Sequence, residues 1–347
     1  MAAVETNEAD NELGARLPHA PLALVDERGE AVFGRWEGAV PVVTYDRLAA
    51  ARALGRTGRF LREKRWRFVL AADERLLVGA AVADLGYLGL GFAYALERPT
   101  GRLLASCGGL TLSRLARVGD ETWRGARTRW RGRGGSLTMT ARPGETALEV
   151  DLEFGRRLGA ALRFEPGAAP PLTLCTPVRG GTVNTTVKSS LLRARGPVTV
   201  DGTLHHLEGL GGSDYTHGLL GRETSWRWAF GVGRDATGRA VGFNLVTGFN
   251  EGGGGENALW AGEALVPLSG APEIAFAGDA ATGPWTVRTP GGEIDLRFTP
   301  AAARSEALDL KLIASSYVQP FGRFDGRVAG AEVTNFAGVV EDHYTKW

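Results

Sequence analysis

The sequence predicts an all-β protein. Three observations carry this: many short runs that alternate apolar and polar residues, glycine-rich turn signals between them, and one clear helical pattern in 347 residues. Strands of that kind close into barrels or pack as sandwiches. Glycine is the compositional outlier at 50 residues, about twice average usage, with no collagen-like period. Turns, bulges and close strand contacts must account for it.

Residues 1–20 are polar and acidic and are expected to form a flexible arm. Residues 45–54 (YDRLAAARAL) carry the helix: Leu48, Ala51 and Leu54 share a helical face, and Gly55 is its expected stop. Residues 66–70 and 76–84 are strands joined by the hairpin-like AADER. Residues 87–96 follow, with Leu88, Leu90, Phe92, Tyr94 and Leu96 on one face and Gly89, Gly91 and Ala93 on the other. Leu148, Val150, Leu152 and Phe154 alternate with Glu149, Asp151 and Glu153, the pattern of an antiparallel strand with one wet face. Further strands are expected over 182–191, 198–204, 226–232, 241–249, 259–267, 285–289, 294–299, 308–316 and 332–341. The segments GAAPPL (167–172) and ARGP (194–197) are the best linkers, so two β-domains are expected, 21–197 and 198–347.

Charge excludes some classes of partner. Forty basic residues balance 39 acidic ones, for a net charge of +1, so no polyanion is steered to the whole chain. Arg124, Arg127, Arg129, Arg131 and Arg133, with Trp123 and Trp130, form a local basic run. It reads as a solvated strand or hairpin and not as a nucleic-acid platform, with contact to an anionic membrane surface as the alternative. Cys107 and Cys175 are the only cysteines and suggest a reducing compartment without a disulfide framework. The first residues contain no apolar secretory segment, and the best apolar run, 76–96, is broken by Asp84 and several glycines. A cytoplasmic protein is expected.

The stretch 209–233, GLGGSDYTHGLLGRETSWRWAFGVG, concentrates the chemistry. Asp214 and His217 fall in what reads as a Gly-punctuated turn, ahead of a strand that places Thr224, Trp226, Trp228, Phe230 and Val232 on one face. Aromatic walls beside a few polar groups are the makeup of an apolar-ligand pocket, although the same rings would also fill a core. A carboxyl against an apolar wall is raised in pKa and becomes a general acid, so Asp214 and His217 are the candidate catalytic pair. Asn244 lies on a small-residue strand face, and Asn250, Glu256 and Asn257 surround the glycines of GFNEGGGGENALW at a hairpin tip. With Trp226 and Trp228 these four are the candidate substrate-binding residues. No metal is expected: His205 and His206 neighbour Asp201 and Glu208, but no HxH or HxxxH pair has a spaced third ligand. No cofactor is expected either, because a nucleophile-elbow GxSxG, a dinucleotide fingerprint, a phosphate loop and a CxxC are all missing.

Taken together, SDYTHG, WRWAFGVG, VGFNLVTGFN, the Glu256-Asn257 pair, VQPFGRFDG and the closing GVVEDHYTKW resemble the bacterial domain-of-unknown-function 2804 family across essentially the whole chain. That family is distantly similar to the calycin-like group containing carotenoid 1,2-hydratase, tocopherol cyclase and lipocalin-like pericyclases. The resemblance implies two packed lipocalin-like (calycin) antiparallel β-barrels or curved sheets, with an apolar substrate held in or between them. The hydratase signature Asp-His-Asn-Trp-Gly would correspond to Asp214-Tyr215-Thr216-His217-Gly218; the Asp and Gly match, while a His occupies the Trp position. Three functions follow. The first is an enzyme that protonates an isoprenoid, polyene or polyketide-like substrate toward hydration, isomerisation or cyclisation. The second is a non-catalytic lipid or pigment carrier. The third is a glycan-binding or glycan-processing protein with exposed tryptophans in an open groove.

Overall fold

The computed structural model describes residues 16–309 and 313–347. A first sheet begins with β1 (Gly34–Glu37), followed by helices α1 (Ala49–Ala53) and α2 (Gly55–Arg62). It continues through β2 (Glu63–Ala72), β3 (Leu76–Asp84), β4 (Leu88–Glu97), β5 (Arg102–Leu112), β6 (Ala116–Val118) and β7 (Arg127–Gly132). Then come β8 (Gly135–Thr140), β9 (Leu148–Phe154), β10 (Leu158–Glu165), β11 (Leu172–Thr176), β12 (Val183–Val200) and β13 (Thr203–Leu219). The second sheet holds β14 (Glu223–Arg234), β15 (Ala240–Thr247), β16 (Ala258–Ala261), β17 (Ala264–Pro267) and β18 (Glu273–Phe276). It ends with β19 (Trp285–Arg288), β20 (Ile294–Asp309), β21 (Ala314–Val328) and β22 (Ala331–Lys346).

The first sheet runs β5-β4-β3-β2-β13-β12-β10-β9-β8-β7-β6, with β11 and β1 branching from β12, and curls into a nearly closed barrel. The second runs β17-β16-β15-β14-β22-β21-β20-β19-β18 and forms a half-barrel. The expected all-β architecture of two packed curved sheets is what the chain adopts. Alternation along the central strands divides three cores. Val69 and Ala71 of β2 point into the first sheet, toward Trp130, Leu137 and Phe164. Phe68 and Leu70 of the same strand point out, toward Trp228 and Phe230 of the second sheet. Ala229 and Phe243 point into the half-barrel, toward Trp285 and Phe298. Strands covered on both faces lose the polar alternation of a wet sheet. Each large side chain buried between the sheets contributes roughly 1.5–3 kcal/mol.

Several sequence expectations are corrected. The helix expected over 45–54 begins four residues later, and Gly55, at φ +63°, opens α2 instead of stopping it. Pro197 lies inside β12, opposite His206, so the chain passes between sheets at 220–222 and not at 197. The strand expected over 198–204 is a hairpin turn with Asp201 and Gly202 at positive φ. The strand expected over 259–267 breaks at Gly262 into β16 and β17. The strand expected over 308–316 falls partly outside the described residues; its described ends belong to β20 and β21. Most of the expected arm, residues 1–15, also lies outside them, while Pro18 and Ala20 exchange backbone hydrogen bonds with Glu37.

The largest correction concerns 209–218. It is not a turn: it forms the long central strand β13, paired on one side with β2 and on the other with β12. Its glycines serve close approach. A Cβ on Gly212 would stand 2.2 Å from the Phe230 ring, and one on Gly211 would stand 2.4 Å from the Leu70 carbonyl. The arginine run falls as its solvated reading requires, with Arg127, Arg129 and Arg131 exposed on β7 and Thr128 and Trp130 buried. Both cysteines are free thiols. Among the described residues, no helix is long and apolar enough to cross a membrane.

Candidate functional site between the sheets

A cavity of about 180 Å³ opens between the two sheets, outside either barrel interior. Trp66 and Phe68 of β2, Ala81 and Ala83 of β3, and Leu90 and Phe92 of β4 form one wall. Trp226 and Trp228 of β14 and Tyr317 of β21 form the other. Trp66 stacks on Trp226 across the gap, with centroids 5.8 Å apart at 17°, and Phe68 meets Trp228 edge-on at 5.4 Å. The face of β14 read from the sequence is therefore the cavity wall. Its indole N–H groups are occupied: Trp226 donates to Glu341 over 2.6 Å and Trp228 to Asn244 Oδ1 over 2.8 Å.

Buried ions line one end. Lys188 of β12 is directly opposite Asp214 of β13, and its ammonium lies 2.8 Å from Asp214 Oδ2 and 3.4 Å from Glu256 Oε1. Thr216 donates to Asp214 Oδ1 over 3.1 Å. Asn250, at φ +56°, donates to Glu256 Oε2 over 3.0 Å, and Asn184 donates to Asn250 over 2.9 Å. The ammonium also faces the Trp228 ring at 5.9 Å. Burial alone would lower the pKa of Lys188, but Asp214 and Glu256 together outweigh it and hold the pKa above the ordinary lysine value. Burial raises the pKa of Glu256; Lys188 offsets part of this, and the Asp214 charge adds to it. Glu256 therefore keeps a proton to higher pH than an ordinary glutamate does.

His217 does not belong to this site. Three residues along a strand reverse the face, so Asp214 points between the sheets while His217 points into the first barrel. There its Nδ1 is 3.0 Å from the Val43 carbonyl, its Nε2 is 2.8 Å from Glu63, and its ring packs 4.7 Å from Tyr45. Burial, with Arg65 nearby, lowers its pKa. Burial would raise the pKa of Glu63, but His217 and Arg65 outweigh it and hold that carboxyl well below the ordinary range.

Asn250 and Glu256 reach the cavity; Asn244 and Asn257 sit behind it. Asn244 accepts from Trp228 and donates to the Glu256 carbonyl over 3.0 Å, while Asn257 accepts from the Val246 backbone over 2.7 Å. They position the 250–257 loop and the Trp228 ring. Sequence reading missed Lys188, Trp66, Gln319 and Glu341. Lys188 had a signal: it is the one charge in VNTTVKSSLL, the first ten residues of β12, which are buried on both faces.

Fold and site together define a protein of two packed curved β-sheets enclosing an aromatic cavity with buried ionic groups. The chain belongs to the family described as Domain of unknown function (DUF2804), which matches residues 15–347. No curated protein matches it. Among solved structures, CghA with Sch210972 shares the fold at a TM-score of 0.52 and 11% identity, over 94% of this chain and 97% of that one. Kievitone hydratase from Nectria haematococca aligns over 95% of this chain and 98% of its own, at 12% identity and a TM-score of 0.49.

Proposed function

We propose that the protein holds a hydrophobic small molecule, of isoprenoid, polyene or polyketide-like character, between its sheets and catalyses its acid-initiated hydration, isomerisation or cyclisation. The observation that carries this reading is the cavity itself: stacked indoles on an apolar wall, with Lys188, Asp214 and Glu256 buried at its edge. Asp214, paired with Lys188 at 2.8 Å, suits the role of a fixed negative charge better than that of a proton donor. Glu256, with its pKa raised by burial, takes the donor role. The faces of Trp66, Trp226 and Trp228 would stabilise a developing carbocation by roughly 1–2 kcal/mol each in a desolvated site. CghA, whose structure was determined with Sch210972, offers a fold-level precedent for a small molecule on this scaffold.

The carrier reading has one specific observation in its favour. The indole N–H groups of Trp226 and Trp228 and the three ionic groups all have protein partners, so a ligand could rest against the rings without engaging them. A glycan site draws no support from the geometry, because Trp228 is buried against the first sheet and Trp226 is stacked on Trp66. Incubation with an apolar metabolite extract, read by liquid chromatography and mass spectrometry, separates the remaining two. An enzyme depletes one component and accumulates a product, and Glu256→Gln retains that component unchanged. Recovery of the same unaltered ligand from wild type and variant leaves the carrier; equal turnover by both removes Glu256 from the mechanism.

A further inference from the structure

A second group of polar side chains on the cavity wall forms a hydrogen-bond chain that ends on Glu341. Tyr94 donates to Gln319 Oε1 over 3.1 Å, Gln319 Nε2 donates to Glu341 Oε2 over 2.9 Å, and Trp226 donates to Glu341 Oε1. An indole N–H only donates, and Tyr94, its pKa pushed well above the ordinary value by burial, stays a protonated phenol. Gln319 accepts from Tyr94 and turns its NH₂ toward Glu341. Both Glu341 oxygens accept hydrogen bonds, from Trp226 and from Gln319.

Glu341 is 7% exposed, and among the described residues no lysine or arginine pairs with it. Of the other acidic residues on the cavity wall, Asp214 and Glu256 share Lys188, and Glu306 has Arg304. The imidazole of His343 comes nearest, with Nδ1 at 3.6 Å, buried and without a hydrogen-bond partner. Glu341 shares the cavity wall with the aromatic rings of Trp66, Phe92, Trp226 and Tyr317. An uncompensated buried carboxylate is costly, and a carboxylate among aromatic faces is the chemistry that receives a desolvated cation.

We propose that the end of the ligand lying at Glu341 carries a positively charged nitrogen, making the natural ligand an apolar molecule with an ammonium or protonated amine. This rests on the reading that the cavity holds an apolar small molecule. The test compares octyltrimethylammonium with octanol by calorimetric titration of the full chain, in wild type and in Glu341→Gln. Wild type should bind the cation about tenfold or more tightly than the alcohol, and that ratio should fall to about one in Glu341→Gln. Circular dichroism confirms that the variant is folded, and its unchanged affinity for octanol confirms that the cavity is intact. Equal affinity of wild type for the two probes, or a ratio that survives Glu341→Gln, overturns the cation site while leaving the cavity reading intact. Failure of both probes to bind wild type overturns the cavity reading and the cation site with it.

Discussion

Asp214 and His217 stand three residues apart in one strand and face opposite ways: Asp214 meets Lys188 between the sheets, and His217 meets Glu63 inside the first barrel. That relationship divides the chemistry of β13 into a ligand-facing half and a scaffolding half, and the consequences of altering each differ.

Lys188→Met should be among the most damaging substitutions. It leaves Asp214 and Glu256 buried without their shared cation, and removing one partner of a buried pair costs about 3–5 kcal/mol. Lys188→Met combined with Asp214→Leu should recover part of the loss, because the stranded charge goes too. Urea denaturation of the two variants checks this, and equal stabilities would contradict it.

His217 should leave a mark on the pH dependence of stability. Its folded pKa is depressed below the ordinary 6.5, so its contribution is complete above that value and is lost as pH falls through the lower folded value. The slope approaches about 1.4 kcal/mol per pH unit for one proton. Glu63, held ionised far below this window, does not add to it. Wild type should lose its advantage over His217→Gln as pH drops below about 6.5, measured by chemical denaturation across pH.

Activity should carry the opposite signature. A donor must be protonated, and the raised pKa of Glu256 extends the protonated form above the ordinary carboxyl range. Turnover should fall as pH rises through that value, and Glu256→Gln should abolish it. A rate that climbs steadily with pH would assign the proton transfer elsewhere.

Gly212→Val tests the close approach of the sheets. The new Cβ would lie 2.2 Å from the Phe230 ring and 2.7 Å from the Ser189 carbonyl, so the second sheet must shift. Overpacking of this kind costs about 1–3 kcal/mol. Thermal unfolding reads the cost, and ligand retention should fall with it because Phe230 and Trp228 share β14.

Much of the fold was legible because alternation survives where strands are long. The strand limits expected for Leu76–Asp84 and Leu148–Phe154 coincide with β3 and β9. The aromatic face of β14 was also legible, since period-2 spacing fixes which side chains share a side. The run Gly209–Gly218 misled because glycine signals a turn and a close strand contact equally; only the partner strand, with Phe230 over Gly212, tells them apart. Asp214 was found for a reason that half survives: it does border an apolar wall, but the ammonium beside it comes from β12, 26 residues earlier. Glu341 could not be singled out, because its meaning depends on Gln319 and Trp226, which only the sheet order brings together.

The central claim is an occupied hollow between the sheets, and filling that hollow tests it most directly. Ala81 lines the cavity on β3, and Ala81→Phe would place a ring in the space facing the second sheet. Native mass spectrometry of both proteins after exposure to an apolar extract should show a bound small molecule on wild type and none on folded Ala81→Phe. Equal adducts on both proteins, or none on wild type, would contradict the claim.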